Sequence, residues 1–162
     1  FGATDQGVYE ESFAHLLNSI DGLTKHAERN GVILGVESQG SATESGQLLL
    51  QRPEEFRQFL STFPTGTVGL NVNLGHLNLA SRVFKFDRLS FIEEFAERIV
   101  ALEISHNEGE KDDHGVLVPG AWYWPIIADG GLADAYKIFE GRDIPTETAV
   151  QMTHWLTEAM EG

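Results

Sequence analysis

Apolar residues recur at helical spacing in "EESFAHLLNSIDGLTKHAERNG", where Phe13, Leu16, Leu17, Ile20, Leu23 and Ala27 share one face. Gly31 follows as a stop signal. The pattern then shortens to "GVILGVES", a compact apolar run rich in β-branched residues that predicts a buried strand ending at Glu37. Pro53 opens "PEEFRQFLSTF" with acids behind it, the chemistry a helix N-terminus prefers. "TVGLNVNLGH" predicts a second strand, "LSFIEEFAER" a helix and "RIVALEIS" a third strand. The segment from Trp122 to Phe139 reads as two helical pieces broken near Gly130 and Gly131. "DIPTETA" reads as a fourth strand, weakened because Pro145 lacks a ladder donor, and "TAVQMTHWLTEAM" as a closing helix.

Strands alternating with helices predict an α/β fold with a parallel sheet and right-handed crossovers. No linker, low-complexity segment or repeat interrupts the pattern, so residues 1–162 read as a single domain. In such sheets ligands bind beyond the carboxyl ends of the strands. Each predicted strand carries a chemical group there. Strand one ends in Glu37, and strand two in Asn73 with His76 beyond it. Strand three carries Glu103 and His106, then a loop bearing Asp112 and His114, and strand four ends in Glu147. His15, His26 and His154 fall inside helices and read as surface or structural residues, and Trp122, Tyr123 and Trp124 as core.

Composition narrows the chemistry. With no cysteine, metal ligands must be oxygen and nitrogen, which suits Mn²⁺, Zn²⁺ or Mg²⁺. A net charge of −14 disfavours a nucleic-acid partner, because that affinity comes largely from Lys and Arg neutralising phosphates. No run is long enough for a membrane span and no signal peptide opens the chain, so a cytoplasmic protein is expected.

"HAERNGVILGVES", "VGLNVNLGHLNLA", "EISHNEGEKDDH" and "IPTETA" together resemble the xylose isomerase-like TIM-barrel superfamily. That superfamily holds sugar isomerases and epimerases and the endonuclease IV group. The resemblance covers the C-terminal half of such a barrel and runs through nearly the whole chain. It implies about four strand-helix units, forming a half-barrel or partial barrel, and a divalent metal cofactor. It also implies metal ligands Glu37, Asn73, Glu103, Asp112, His114 and Glu147, and substrate-side histidines His76 and His106. Glu37 and Glu147 would be the catalytic pair. Three positions depart from the family pattern: Asn73 replaces an Asp, Glu103 a His, and His106 an Asp.

The implied activity is isomerisation or epimerisation of a small sugar or polyol by carboxylate proton transfer. The alternatives are a degenerate binding protein and an endonuclease IV-like phosphoesterase. The implied partner is either a missing N-terminal half-barrel or a second copy, since an open sheet edge invites pairing.

Overall fold

The computed structural model describes residues 6–44, 48–63 and 66–161. Helix α1 spans Gln6–Asn30 and strand β1 spans Leu34–Glu37. Helix α2 (Pro53–Thr62) leads to β2 (Val68–Asn73), which passes directly into α3 (Leu74–Phe84). Helix α4 (Arg88–Phe95) and a 3₁₀ turn (Ala96–Arg98) precede β3 (Ile99–Ile104). A single turn, α5 (Trp124–Ile127), and a second 3₁₀ turn (Gly130–Leu132) precede β4 (Tyr136–Phe139). Helix α6 (Thr146–Glu161) follows.

The sheet is parallel throughout, in the order β1-β2-β3-β4. Each strand pairs with its sequence neighbour, the progression a barrel wall requires. Side chains alternate across the pleat. Val68, Leu70 and Val72 of β2 are buried with Leu102 and Ile104 of β3 in the core. There they join an aromatic cluster in which Phe91 lies edge-on to Phe56 at 4.9 Å and tilts against Phe95 at 4.7 Å. The alternate positions Asn71, Asn73, Ala101 and Glu103 face the other side, in register with Tyr136 and Ile138 of β4. Tyr136 is 77 % exposed and Ile138 is also exposed, so this second face carries apolar surface that the described residues leave open.

Two sequence expectations are corrected. Trp122–Phe139 is not a helical pair: it holds one turn of α-helix, a 3₁₀ turn and the fourth strand. "YKIF" has the aromatic and β-branched content of a strand, and it pairs with Ala101–Ile104. "DIPTETA" is accordingly not a strand. The Pro145 carbonyl accepts the amide of Ala149 at 3.0 Å, so this segment starts α6. Proline lacks the donor a ladder needs, yet it suits a helix start. Helix α3 is an element the sequence reading missed. The sequence moves from strand to helix with no intervening loop, because Asn73 ends β2 and caps α3 at once.

Candidate functional site

Asn73 is the centre of the site. Its Oδ1 accepts the backbone N–H of His76 at 3.1 Å, which caps α3 and fixes the orientation of the amide. The Nδ2 group must then point the other way, toward three carboxylates. It donates to Glu140 Oε2 at 2.8 Å, to Glu103 Oε2 at 3.2 Å and to Glu37 Oε1 at 3.4 Å. Asn71, two residues earlier on the same face, donates to the other oxygen of Glu103 at 2.8 Å. Three strand ends thus deliver carboxylates to one buried amide, itself 0 % exposed.

The histidines lie beside this cluster. His76 occupies the first turn of α3, where its Nδ1 is 2.9 Å from the Ser38 carbonyl and 3.2 Å from Glu37 Oε1. A carbonyl can only accept, so Nδ1 carries the proton and Nε2 offers its lone pair, the arrangement typical of a metal-binding histidine. Glycine at position 40 allows the loop after β1 to pass this turn, because a Cβ there would lie 2.3 Å from the His76 carbonyl oxygen.

The loop after β3 folds back through an antiparallel bridge between His106 and Gly115. That return places Asp112 Oδ2 2.8 Å from His114 Nε2 and 3.5 Å from His76 Nε2. His114 Nδ1 lies 2.9 Å from Glu140 Oε2, so this histidine joins the loop to β4. His114 holds a left-handed backbone (φ 47), a conformation costly for a non-glycine residue and typical of functional loops. Arg142 steadies the loop, donating to the Asp112 carbonyl at 2.9 Å.

Glu37 is pushed above the usual carboxylate range, chiefly by burial and next by the negative charge of Glu103; His76 and Asn73 oppose the shift. Ligand atoms of His76, Asp112 and His114 lie within 4.8 Å of one another, close enough to share one ion. Asp112 Oδ1 is buried without a hydrogen-bond partner, while Oδ2 is the oxygen that faces both histidines. Two imidazoles and a carboxylate form a donor set suited to Zn²⁺ or Mn²⁺.

The fold brings together Glu37, Asn73, His76, Glu103, Asp112 and His114. It does not bring Glu147, which is exposed in the first turn of α6. Glu140 ends β4 instead, continuing the ladder through its amide to the Ile104 carbonyl. His106 lines a separate cavity with Trp122 and Arg88. Sequence reasoning missed Glu140 and Asn71. The "YKIF" run immediately before Glu140 could have found the first. Period-two alternation within β2 could have found the second.

A parallel strand-helix wall in sequential strand order is part of a TIM-barrel fold, the architecture it shares with the solved structures it resembles. Among solved structures, a D-tagatose 3-epimerase-like protein superposes with a TM-score of 0.72 at 18 % identity, over 95 % of this chain and 55 % of that one. The 3-keto-D-glucoside 4-epimerase of E. coli gives 0.69 at 12 % identity, over 98 % and 60 %. A Thermus thermophilus protein soaked with ZnCl₂ gives 0.63 at 19 % identity, over 98 % and 58 %. The uncharacterized protein y4fM of Sinorhizobium fredii (strain NBRC 101917 / NGR234) is 27 % identical over 125 residues, covering 77 % of this chain and 37 % of that protein. The chain therefore spans little more than half the length of these solved structures. No family model matches the sequence. Among the described residues no helix is long and apolar enough to cross a membrane.

Proposed function

We propose that this chain is the C-terminal half of a metal-dependent isomerase or epimerase acting on a small sugar or polyol. The observation that carries the reading is the convergence of Glu37, Glu103 and Glu140 from three strand ends beside the His76–Asp112–His114 group. The epimerase neighbours share the fold, and one neighbour was soaked with zinc, which supports the same class.

His76, Asp112 and His114 would hold the ion. A bound divalent cation would polarise a substrate carbonyl and its neighbouring hydroxyl. The chain's own carboxylates move the proton. Glu37 and Glu140 stand on the two outer strands, β1 and β4, with Asn73 between them. One carboxylate takes the proton as the substrate C–H bond breaks, and the other carboxyl delivers a proton to the opposite face of that carbon. The raised pKa of Glu37 brings it closer to neutrality, where a group both accepts and donates efficiently. His76 Nδ1, beside Glu37 Oε1, positions that carboxylate.

The open sheet face is covered by the other half of the barrel, either a further segment or a second copy. Sedimentation of the 162-residue chain as a cooperative monomer would count against that arrangement.

Solvent deuterium incorporation into ketoses, measured with the barrel complete, tests the activity. Exchange by the parent that falls about 10²-fold in Glu37→Gln supports it. A second reading is a non-catalytic metal-binding protein. The observation in its favour is that the Asn73 amide occupies the point where the three carboxylates meet. Stoichiometric zinc binding without exchange into any ketose would favour that reading.

A further inference from the structure

Helix α3 has a second polar flank, opposite His76. Asn78, Ser81 and Arg82 follow an i, i+3, i+4 spacing, and Asn78 stands about 200° around the helix from His76. They line a cavity of about 570 Å³ that shares no residue with the carboxylate cluster. Arg88, His106 and Trp122 share its wall with two acids, Asp87 and Glu108.

The chain has only 11 Lys and Arg against 25 Asp and Glu, yet two arginines line this one cavity. Two arginines take carboxylate partners: Arg57 lies 2.5 Å from Glu94, and Arg142 lies 3.7 Å from Asp112, whereas Arg98 is held by the carbonyls of Phe63 and Val68. Arg82 and Arg88 take none within 4.0 Å among the described residues. They are instead held by neutral acceptors. Arg82 Nη1 donates to the Glu108 carbonyl at 2.5 Å, and Arg88 Nη1 donates to Asn78 Oδ1. Asn78 is itself locked, donating to Asn107 Oδ1 at 2.9 Å.

Arg88 is half-buried and Arg82 is exposed, and both are held in place. The Arg88 guanidinium stacks 4.1 Å over the Trp122 ring, a cation–π contact that fixes its plane. Arg82 crosses Gly109 so closely that a Cβ there would lie 2.3 Å from Arg82 Cδ, and Gly109 has φ +77. The two acids in the cavity wall are otherwise engaged. Asp87 Oδ1 caps α4 by accepting the Ser90 amide at 2.7 Å, and Glu108, with its side chain 87 % exposed, faces His106 Nε2 at 3.1 Å. The Arg88 pKa is lowered, first by burial, with the positive charge of Arg82 adding to the shift against the pull of Asp87. An anion between the two guanidiniums would relieve that repulsion.

We propose that Arg82 and Arg88 form an oxyanion site, separate from the carboxylate cluster, that takes a phosphate group. Paired planar guanidiniums match the oxygens of phosphate through charge-assisted hydrogen bonds. The cavity has room for the small organic group of a phosphomonoester. The net charge of −14 disfavours a polyanion and favours a single small anion, drawn by charges within a Debye length of about 8 Å.

Trp122 is the natural reporter. Its fluorescence is followed while the chain is titrated with inorganic phosphate, glycerol 3-phosphate or glycerol, in chelator and at constant ionic strength. The expected result is a saturable response to both phosphates and none to glycerol. The tighter of the two phosphates identifies whether the free ion or the monoester is the ligand. Arg82→Met removes an exposed side chain and should weaken phosphate at least about tenfold, the loss of one charge-assisted hydrogen bond. Gly109→Ala, which displaces the Arg82 stem, should weaken it in the same direction. No saturable response from the parent, an equal response to glycerol, or unchanged affinity in Arg82→Met would overturn the proposal. None of these outcomes depends on epimerase activity, so the two readings stand or fall separately.

Discussion

Replacing Asn73 with Asp tests whether the amide organises the site. The amide donates to three carboxylates at 2.8, 3.2 and 3.4 Å from a fully buried position. A carboxylate there removes every one of those donors and adds a fourth negative charge. At 3.2 Å, two unit charges in an effective dielectric near 20 repel by about 5 kcal/mol. The cluster will not bear several such terms, because taking up a proton is easier. Protonating a carboxyl of ordinary pKa at pH 7 costs about 4 kcal/mol, which sets the scale of the charge penalty.

For a chain of this length that corresponds to a melting temperature lower by roughly 8–16 °C in chelator. The deficit should shrink as pH falls toward about 4, where the added group is neutral without cost. Excess Mn²⁺ should narrow it, by about 1.4 kcal/mol for each tenfold by which the variant binds the ion more tightly than the parent. Thermal melts of parent and Asn73→Asp, with chelator and with Mn²⁺, at about pH 5 and pH 7, provide the assay. If the metal-free variant melts within about 2 °C of the parent at pH 7, Asn73 does not hold the three carboxylates and the description of the site fails.

The corrected strand end gives a paired test: Glu140→Gln should lower deuterium exchange about 10²-fold, whereas Glu147→Gln should leave it unchanged, and equal effects would refute the placement of β4. Zinc affinity measured by calorimetry should fall at least about tenfold in His114→Ala and stay near the parent value in His106→Ala; the reverse order would remove the His76–Asp112–His114 assignment. Glu37 supplies a pH dependence. Its folded-state pKa is raised, chiefly by burial, so the folded chain binds this proton more tightly than the unfolded chain does. Its contribution to stability therefore declines as pH rises from the ordinary Glu value, about 4.3, through the raised one. Denaturant melts in chelator across that window should show a decline that Glu37→Gln flattens, and parallel profiles would contradict it.

Local chemistry alone determined much of this molecule. The 3.6-residue spacing of Phe13 to Ala27, the β-branched runs ending at Glu37, Asn73 and Glu103, and the Pro53 helix start each depend on neighbours in sequence, so they were legible. The clustering of polar groups at strand ends was legible too, because period-two alternation and a parallel sheet place them there. The last strand was not. "DIPTETA" and "YKIF" are both short, and only pairing with Ala101–Ile104, formed across more than thirty residues of chain, decided that the second is β4 and that Glu140 stands where Glu147 was expected. The role of Asn73 was likewise hidden. A sequence gives an amide but not which of its ends is engaged; the α3 cap takes the oxygen and leaves the nitrogen to Glu37, Glu103 and Glu140. Arg82 and Arg88 stand six residues apart in sequence, and α3 and the start of α4 bring them to one cavity, which only tertiary packing can do.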